Sequence, residues 1–210
     1  MATVPGRHRP PSGWRCFVAL PVPRGVARRL DLRLAKVRAE SPAVRWLPAE
    51  QLHLTLAFIG ALSPDRVEPL AAALADVAVH AEPFTIELAG AGRFGGRGRQ
   101  EVAWVGLEEG RSPCVALAEQ VLATCRAVGV LPEPHEGVSD KGVRPHLTVA
   151  RRSTPGLPAA IEAALTGSRL SWRVDALVLY RSHLGAPGVR YEALVRLPLA
   201  RDLPSGHAGG

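Results

Sequence analysis

HLTLAFIG (residues 53–60) and HLTVAR (residues 146–151) repeat one pattern, a histidine and a threonine two positions apart in an otherwise apolar run. Both copies read as β-strands. Side chains alternate across a strand, so His53 and Thr55 share one face while Leu52, Leu54 and Leu56 share the other. The same parity joins His146 to Thr148 and sets Leu147 and Val149 behind them. Each strand is therefore apolar on one side and carries an imidazole beside a hydroxyl on the other.

Outward from the first copy, WRCFVAL (14–20) reads as a strand, and Val26, Leu30, Leu34 and Val37 recur at helical spacing in residues 23–40 behind a proline start. VRW (44–46) leads into the first copy, and an Ala/Leu-rich helix over 63–80 follows with Ser63 as its N-cap. FTIELAG (84–90) and EVAWVGL (101–107) read as strands joined by the glycine-rich loop AGRFGGRGRQ (91–100). A third helix over 112–129 stops at Gly129. The acidic loop PEPHEGVSDKG (132–142) precedes the second copy, and a short helix, LPAAIEAALTG (157–167), follows it. SWRVDALVLYRS (171–182) and VRYEALVRLP (189–198) close the chain as two strands.

The order strand, helix, motif strand, helix is thus approximated twice. It predicts an α+β, bilobal fold: two pseudo-symmetric lobes of antiparallel sheet, helices packed outside, and an active-site cleft between the lobes. Several adjacent strands are joined by loops too short for a parallel crossover. Residues 14–199 are expected to form this single bilobal domain between disordered tails at 1–13 and 200–210, which are Pro/Gly-rich with little to bury. His8 and His207 fall in those tails; His80 at a helix end and His135 in a loop read as solvated groups.

The apolar content of 47% and mean hydropathy of +0.06 describe a globular chain. No run approaches the roughly 20 apolar residues that a bilayer span needs, and no apolar stretch follows the basic residues of the first 13. The cytoplasm is the expected location, with no membrane and no obligate protein partner. Cys16, Cys114 and Cys125 form no CxxC pair and read as reduced core thiols. The formal charge of +7 favours polyanionic partners. Only Lys36 and Lys141 of the 26 basic residues are lysines, so an arginine-rich, GC-biased coding sequence accounts for the charge equally well.

If the two motif strands line one cleft, two imidazoles and two hydroxyls surround it in near-mirror positions. Such a set can grip a tetrahedral phosphate. In-line displacement needs one imidazole to take a proton from water while the other gives one to the leaving oxygen. That is acid–base hydrolysis of a phosphodiester. A zinc site is the competing chemistry, but neither histidine has an Asp, Glu, His or Cys at ligand spacing and Thr is a poor zinc ligand. No metal and no cofactor are expected.

Beyond the two motifs, WRCFVALPVP, VRWLPAEQLHLTLAFIG, PFTIELAGAGRF, VAWVGL, RPHLTVAR and LVLYRSHLGAPGVRYEAL occur in an order that resembles the RNA 2′,3′-cyclic phosphodiesterases, or 2′-5′ RNA ligases, of the two-histidine phosphoesterase superfamily. The resemblance covers nearly all of residues 14–199. It implies His53 and His146 as the catalytic pair, Thr55 and Thr148 as phosphate binders, and Arg151 as a further charge on the phosphate. It also implies a metal-free opening of terminal 2′,3′-cyclic phosphates to 2′-phosphates, with His146 as base for water and His53 as acid for the 3′ oxygen. The implied partners are RNA ends, among them tRNA halves that some members rejoin through a 2′-5′ linkage. The first motif has Ala57 where the family often has lysine, and Val143 stands where an aromatic is frequent.

Arg93, Arg97 and Arg99 in the glycine-rich loop, and Arg144 and Arg152 beside the second motif, are candidates to follow an RNA backbone. Tyr191 is a candidate to stack on a base. Phe58 shares the parity of the leucines and is expected in the core. Two other readings stand beside the enzyme: an RNA-end-binding module without turnover, and a cyclic phosphodiesterase of small nucleotides.

Overall fold

The computed structural model describes residues 13–96, 99–133, 137–139, 142–186 and 188–200. Residues 1–12 and 201–210, with His8 and His207, and the loop residue His135 lie outside the described residues. In chain order the elements are β1 (Trp14–Pro21), α1 (Arg24–Glu40), β2 (Arg45–Trp46), β3 (His53–Leu62), α2 (Val67–His80), β4 (Phe84–Gly96), β5 (Arg99–Glu109), α3 (Arg111–Ala127), β6 (Val138–Ser139), β7 (Gly142–Val143), β8 (Leu147–Arg151), α4 (Leu157–Leu165), β9 (Ser171–Val174), β10 (Ala176–His183) and β11 (Arg190–Pro198).

The strands form one sheet in the order β11-β10-β1-β3-β8-β5-β4-β9, with β2 added against β8 and β6 and β7 paired apart as a small ribbon. Every pair is antiparallel. The fold is α+β, as the sequence pattern predicts, and its two halves are joined edge to edge. The halves meet where Leu54 of β3 pairs with Leu147 of β8. Outward from this seam the registers match residue for residue. Thr55, Ala57 and Phe58 of β3 oppose Ala19, Val18 and Phe17 of β1, while Thr148, Ala150 and Arg151 of β8 oppose Trp104, Ala103 and Val102 of β5. An approximate two-fold axis therefore passes through the Leu54/Leu147 pair.

The helices cover one face of this sheet. α2 lies against β10 and β11, α4 against β4 and β5, and α3 reaches across the seam onto β3. Their apolar stripes, such as Leu30 and Leu34 of α1 or Leu70 and Leu74 of α2, are fully buried. Burial of each such leucine contributes about 2 kcal/mol. Leu54, Leu56, Leu147 and Val149 join the same contiguous core, so the apolar sides of both motif strands face the helices. The three cysteines are free and buried in this layer. Among the described residues no helix is long and apolar enough to cross a membrane.

Three expected elements differ in detail. Ser63 does not cap α2: its hydroxyl donates to the Asp65 carboxylate, and a 3-10 turn over Pro64–Arg66 intervenes before the helix begins. The glycine-rich stretch expected as a loop over 91–100 is largely paired, because β4 runs to Gly96 and register shifts at Ala89/Ala91 and Phe94/Gly96 absorb its irregularities. The strand expected over 171–182 is two strands. β9 pairs with β4 at one edge of the sheet, Asp175 interrupts, and β10 pairs with β1 in the other half.

Candidate active site

The two histidines flank the seam on the sheet face away from the helices. His53 opens β3 and His146 immediately precedes β8. Carrying the Leu54/Leu147 register one residue each way sets His53 across from Thr148 and Thr55 across from His146. Residues directly opposed in antiparallel strands lie about 5 Å apart at Cβ. His53, Thr55 and Thr148 are half-buried, and His146 is 7% exposed.

Each imidazole is oriented by the carbonyl two residues before it. His53 Nδ1–H donates to the Gln51 carbonyl at 2.7 Å, and His146 Nδ1–H donates to the Arg144 carbonyl at 3.0 Å. A carbonyl only accepts, so in both neutral rings the proton sits on Nδ1 and Nε2 is the basic nitrogen. Gln51 is itself held, its amide donating to the Val189 carbonyl at 2.7 Å. Burial pushes the His53 imidazole down to about 4, the Gln51 carbonyl pulls it up, and the nearby His146 and Arg151 push it further down. His53 is thus neutral near pH 7, and His146 and Arg151 lie within electrostatic reach of it.

Strict alternation would send Arg151 to the core face with Val149. It does not go there. The register between β5 and β8 shifts between Ala103 and Trp104, so β8 carries one extra residue after Thr148 and Arg151 returns to the histidine face opposite Val102. The same shift occurs in β3 between Val18 and Ala19. It brings Phe58 to the histidine face opposite Phe17, which corrects the core position expected from parity. Phe58 is half-buried, with the Arg15 guanidinium 4.4 Å from its ring centroid.

Aromatic side chains pack around each histidine, and all of them but Tyr191 were missed in the sequence. Phe17 lies 4.8 Å from the His53 ring, Tyr191 meets it edge-on at 5.2 Å, and Tyr180 stacks behind Phe17 at 5.1 Å. On the other side Phe94 meets His146 edge-on at 4.8 Å, and Trp104 lies 6.4 Å from it. Phe17 and Trp104 are buried yet stand outside the main core. Their place in strands beside the motif strands was a usable signal. Gly137 was missed too: a Cβ there would stand 2.6 Å from the His146 ring, so the loop before the second motif touches the site.

The remaining candidates divide. Tyr191 is at the site, its phenol pushed up by burial against the pull of Arg151, Arg15 and Arg45. Arg144 is also there, over Trp104. Arg152 is exposed just beyond β8 with a left-handed backbone at φ 57°. Arg93 is not brought to the site: it opposes Ala103 on the other face of β4 and pairs with Glu101 at 2.9 Å. Arg97 lies outside the described residues, and only the backbone of Arg99 is described.

The profile of the 2′-5′ RNA ligase superfamily matches residues 24–186. The chain belongs to the 2′-5′ RNA ligase superfamily. It is 32% identical over 189 residues to the RNA 2′,3′-cyclic phosphodiesterase of Thermus thermophilus, covering 88% of this chain and 90% of that one. It is 29% identical over 196 residues to the protein of that name from Geobacillus stearothermophilus, covering 92% of this chain but 59% of the relative. Escherichia coli LigT complexed with 3′-AMP superposes with a TM-score of 0.67 at 26% identity, over 90% of this chain and 99% of that one.

Proposed function

We propose that the protein is a metal-independent RNA 2′,3′-cyclic phosphodiesterase. The observation that carries this reading is the pairing of two Nδ1-anchored imidazoles across one seam, each beside a threonine, on the sheet face that carries Arg151. The names of the relatives agree with it. A substrate phosphate would lie over the seam, with the Thr55 and Thr148 hydroxyls and the Arg151 guanidinium on its nonbridging oxygens.

Water attacks phosphorus from the side opposite the 3′ oxygen. His146 Nε2 takes the water proton as the new P–O bond forms, the P–O3′ bond breaks, and His53 gives its Nε2 proton to the 3′ oxygen. The products are a 2′-phosphate and a 3′-hydroxyl, and the two histidines end with their protonation states exchanged. His53 is held neutral near pH 7 by burial, so this order requires the substrate anion to raise its proton affinity before the step. A 5′-hydroxyl of RNA, such as that of a tRNA half, in place of water would give a 2′-5′ linkage by the same transfers.

The test is an RNA oligomer ending in a 2′,3′-cyclic phosphate, incubated with EDTA while its end chemistry is followed. Conversion to the 2′-phosphate is expected, with a bell-shaped pH profile. Chelator-sensitive turnover, or a fully active His146→Ala protein, would overturn the mechanism. RNA bound in a salt-dependent way with its ends unchanged would make the protein a binding module, and faster turnover of cyclic mononucleotides than of oligomers would make it a small-nucleotide enzyme. A substrate with sulfur in place of the 3′ oxygen separates the two roles. A thiolate leaves without an acid, so it should rescue His53→Ala and leave His146→Ala slow.

A further inference from the structure

We propose that Arg144, seated over Trp104 and Phe94 beside His146, is a stacking platform for a nucleobase of the RNA end. This rests on the cyclic phosphodiesterase reading above and adds a subsite to it. The backbone of Arg144 is fixed at both polar atoms. Its N–H donates to the Gly137 carbonyl at 2.6 Å, and its carbonyl accepts from His146 Nδ1–H at 3.0 Å. The side chain then returns over the sheet, with its guanidinium carbon 4.4 Å from the Trp104 ring centroid and 5.8 Å from that of Phe94. Trp104 and Phe94 are themselves stacked at 5.1 Å with their planes 30° apart.

Two features separate this stack from ordinary packing. Trp104 is 6% exposed yet stands outside the main core, paired with Thr148 on the histidine face of the sheet. Gly92 beneath it lacks the Cβ that would strike the ring. Arg144, by contrast, is exposed, and no carboxylate pairs with it among the described residues, whereas Arg38, Arg93, Arg169 and Arg196 each have one.

A guanidinium backed by an indole on one side offers a flat cationic face and in-plane N–H donors on the other. That combination fits a nucleobase, whose π-face stacks and whose edge accepts hydrogen bonds. A phosphate needs only the charge, which a lysine supplies without a ring beneath it. Arg144 is two residues from His146, about 7 Å of extended chain. That is the scale of one nucleoside, so the base belongs to the terminal or the penultimate nucleotide.

The experiment uses short RNAs ending in a 2′,3′-cyclic phosphate, with the base present or replaced by an abasic ribose at either of those positions. Their 2′-phosphate products are titrated in parallel by fluorescence anisotropy. For the unsubstituted protein, loss of the base at one position should raise KM and the product Kd about tenfold, with kcat within about twofold. Arg144→Ala should bind the intact RNA that weakly and be indifferent to the abasic change. Arg144→Lys should not restore the difference. Indifference of the unsubstituted protein to both abasic positions would overturn the platform. So would full recovery by Arg144→Lys, which would make Arg144 a phosphate contact. Absence of turnover in every RNA would remove the enzymatic reading, and the product titration would still decide the stacking.

Discussion

The halves around His53 and His146 share a backbone and differ in what that backbone presents. Both histidines lean on the carbonyl two residues back, both threonines follow two residues later, and both strands carry one extra residue just after the threonine. At the next position to face the site one half shows Phe58 and the other Arg151. The same local irregularity thus delivers a ring on one side of the seam and a cation on the other. The backbone repeats around the two imidazoles, and the side chains it presents at this position do not. Arg151 helps to keep His53 neutral.

The strongest way to break the comparison is to remove one imidazole at a time. His53→Ala and His146→Ala should each slow ring opening of a cyclic-phosphate RNA by roughly 10²- to 10⁴-fold. Because the pair acts as a unit, the double variant should be within about tenfold of the slower single one. Single-turnover rates measure this, and multiplicative losses would mean that the histidines work independently.

Next in size is Gly137→Ala. Its Cβ would stand 2.6 Å from the His146 ring at a backbone φ of 84°, so the ring must turn or the loop must shift. A fall of about 10- to 100-fold in kcat is expected from a displacement on that scale. Gly142→Ala is the matched control, with φ 99° and nothing within 4 Å of the added carbon. It should cost about 1 kcal/mol of stability from backbone strain and leave kcat near its original value. Equal losses in the two variants would mean that the loop, not the ring contact, matters.

Both variants probe what strand parity does not reveal. The motif strands were legible because a period-two pattern with a polar pair on one face survives at Leu52–Leu56 and Leu147–Val149. Beyond Thr55 and Thr148 the rule fails, since one bulged residue flips every later side chain. Phe58 was therefore assigned to the wrong face by alternation, and Arg151 was reached only through the family resemblance. Phe94 was hidden for a different reason. Its neighbours Gly92, Gly95 and Gly96 read as loop, although strand pairing from elsewhere in the chain overrides that local preference. Gly137 gave no signal at all, because its importance is the absence of an atom beside a residue distant in local geometry.

Exchanging the third position sharpens the comparison further. Arg151→Phe makes the second half imitate the first and removes a cation that holds His53 down. The His53 value should then rise from about 4 toward the usual imidazole value, followed through its Cε1–H signal against pH by NMR. Burial is the larger cause and stays, so the rise should be partial. Substrate affinity should fall about tenfold with the loss of one charge-assisted phosphate contact. An unmoved His53 titration would leave burial as the whole cause of its neutrality.

The smallest expected effect follows from the same imidazole without any substrate. The folded protein holds His53 at about 4, below the usual value of 6.5, so between these limits the unfolded chain binds a proton that the native state refuses. Stability is therefore complete above pH 6.5 and declines as the pH falls toward 4. The full separation corresponds to about 3 kcal/mol, and solvent screening of a half-buried ring reduces the expected loss to ~1 kcal/mol. Urea unfolding between pH 7.5 and 4.5 measures it against His53→Gln, which has no proton to gain. The difference in stability between the two proteins should shift by that amount in favour of His53→Gln as the solution is acidified. If the two curves stay parallel, His53 takes its proton as readily folded as unfolded, and neither burial nor Arg151 holds it neutral.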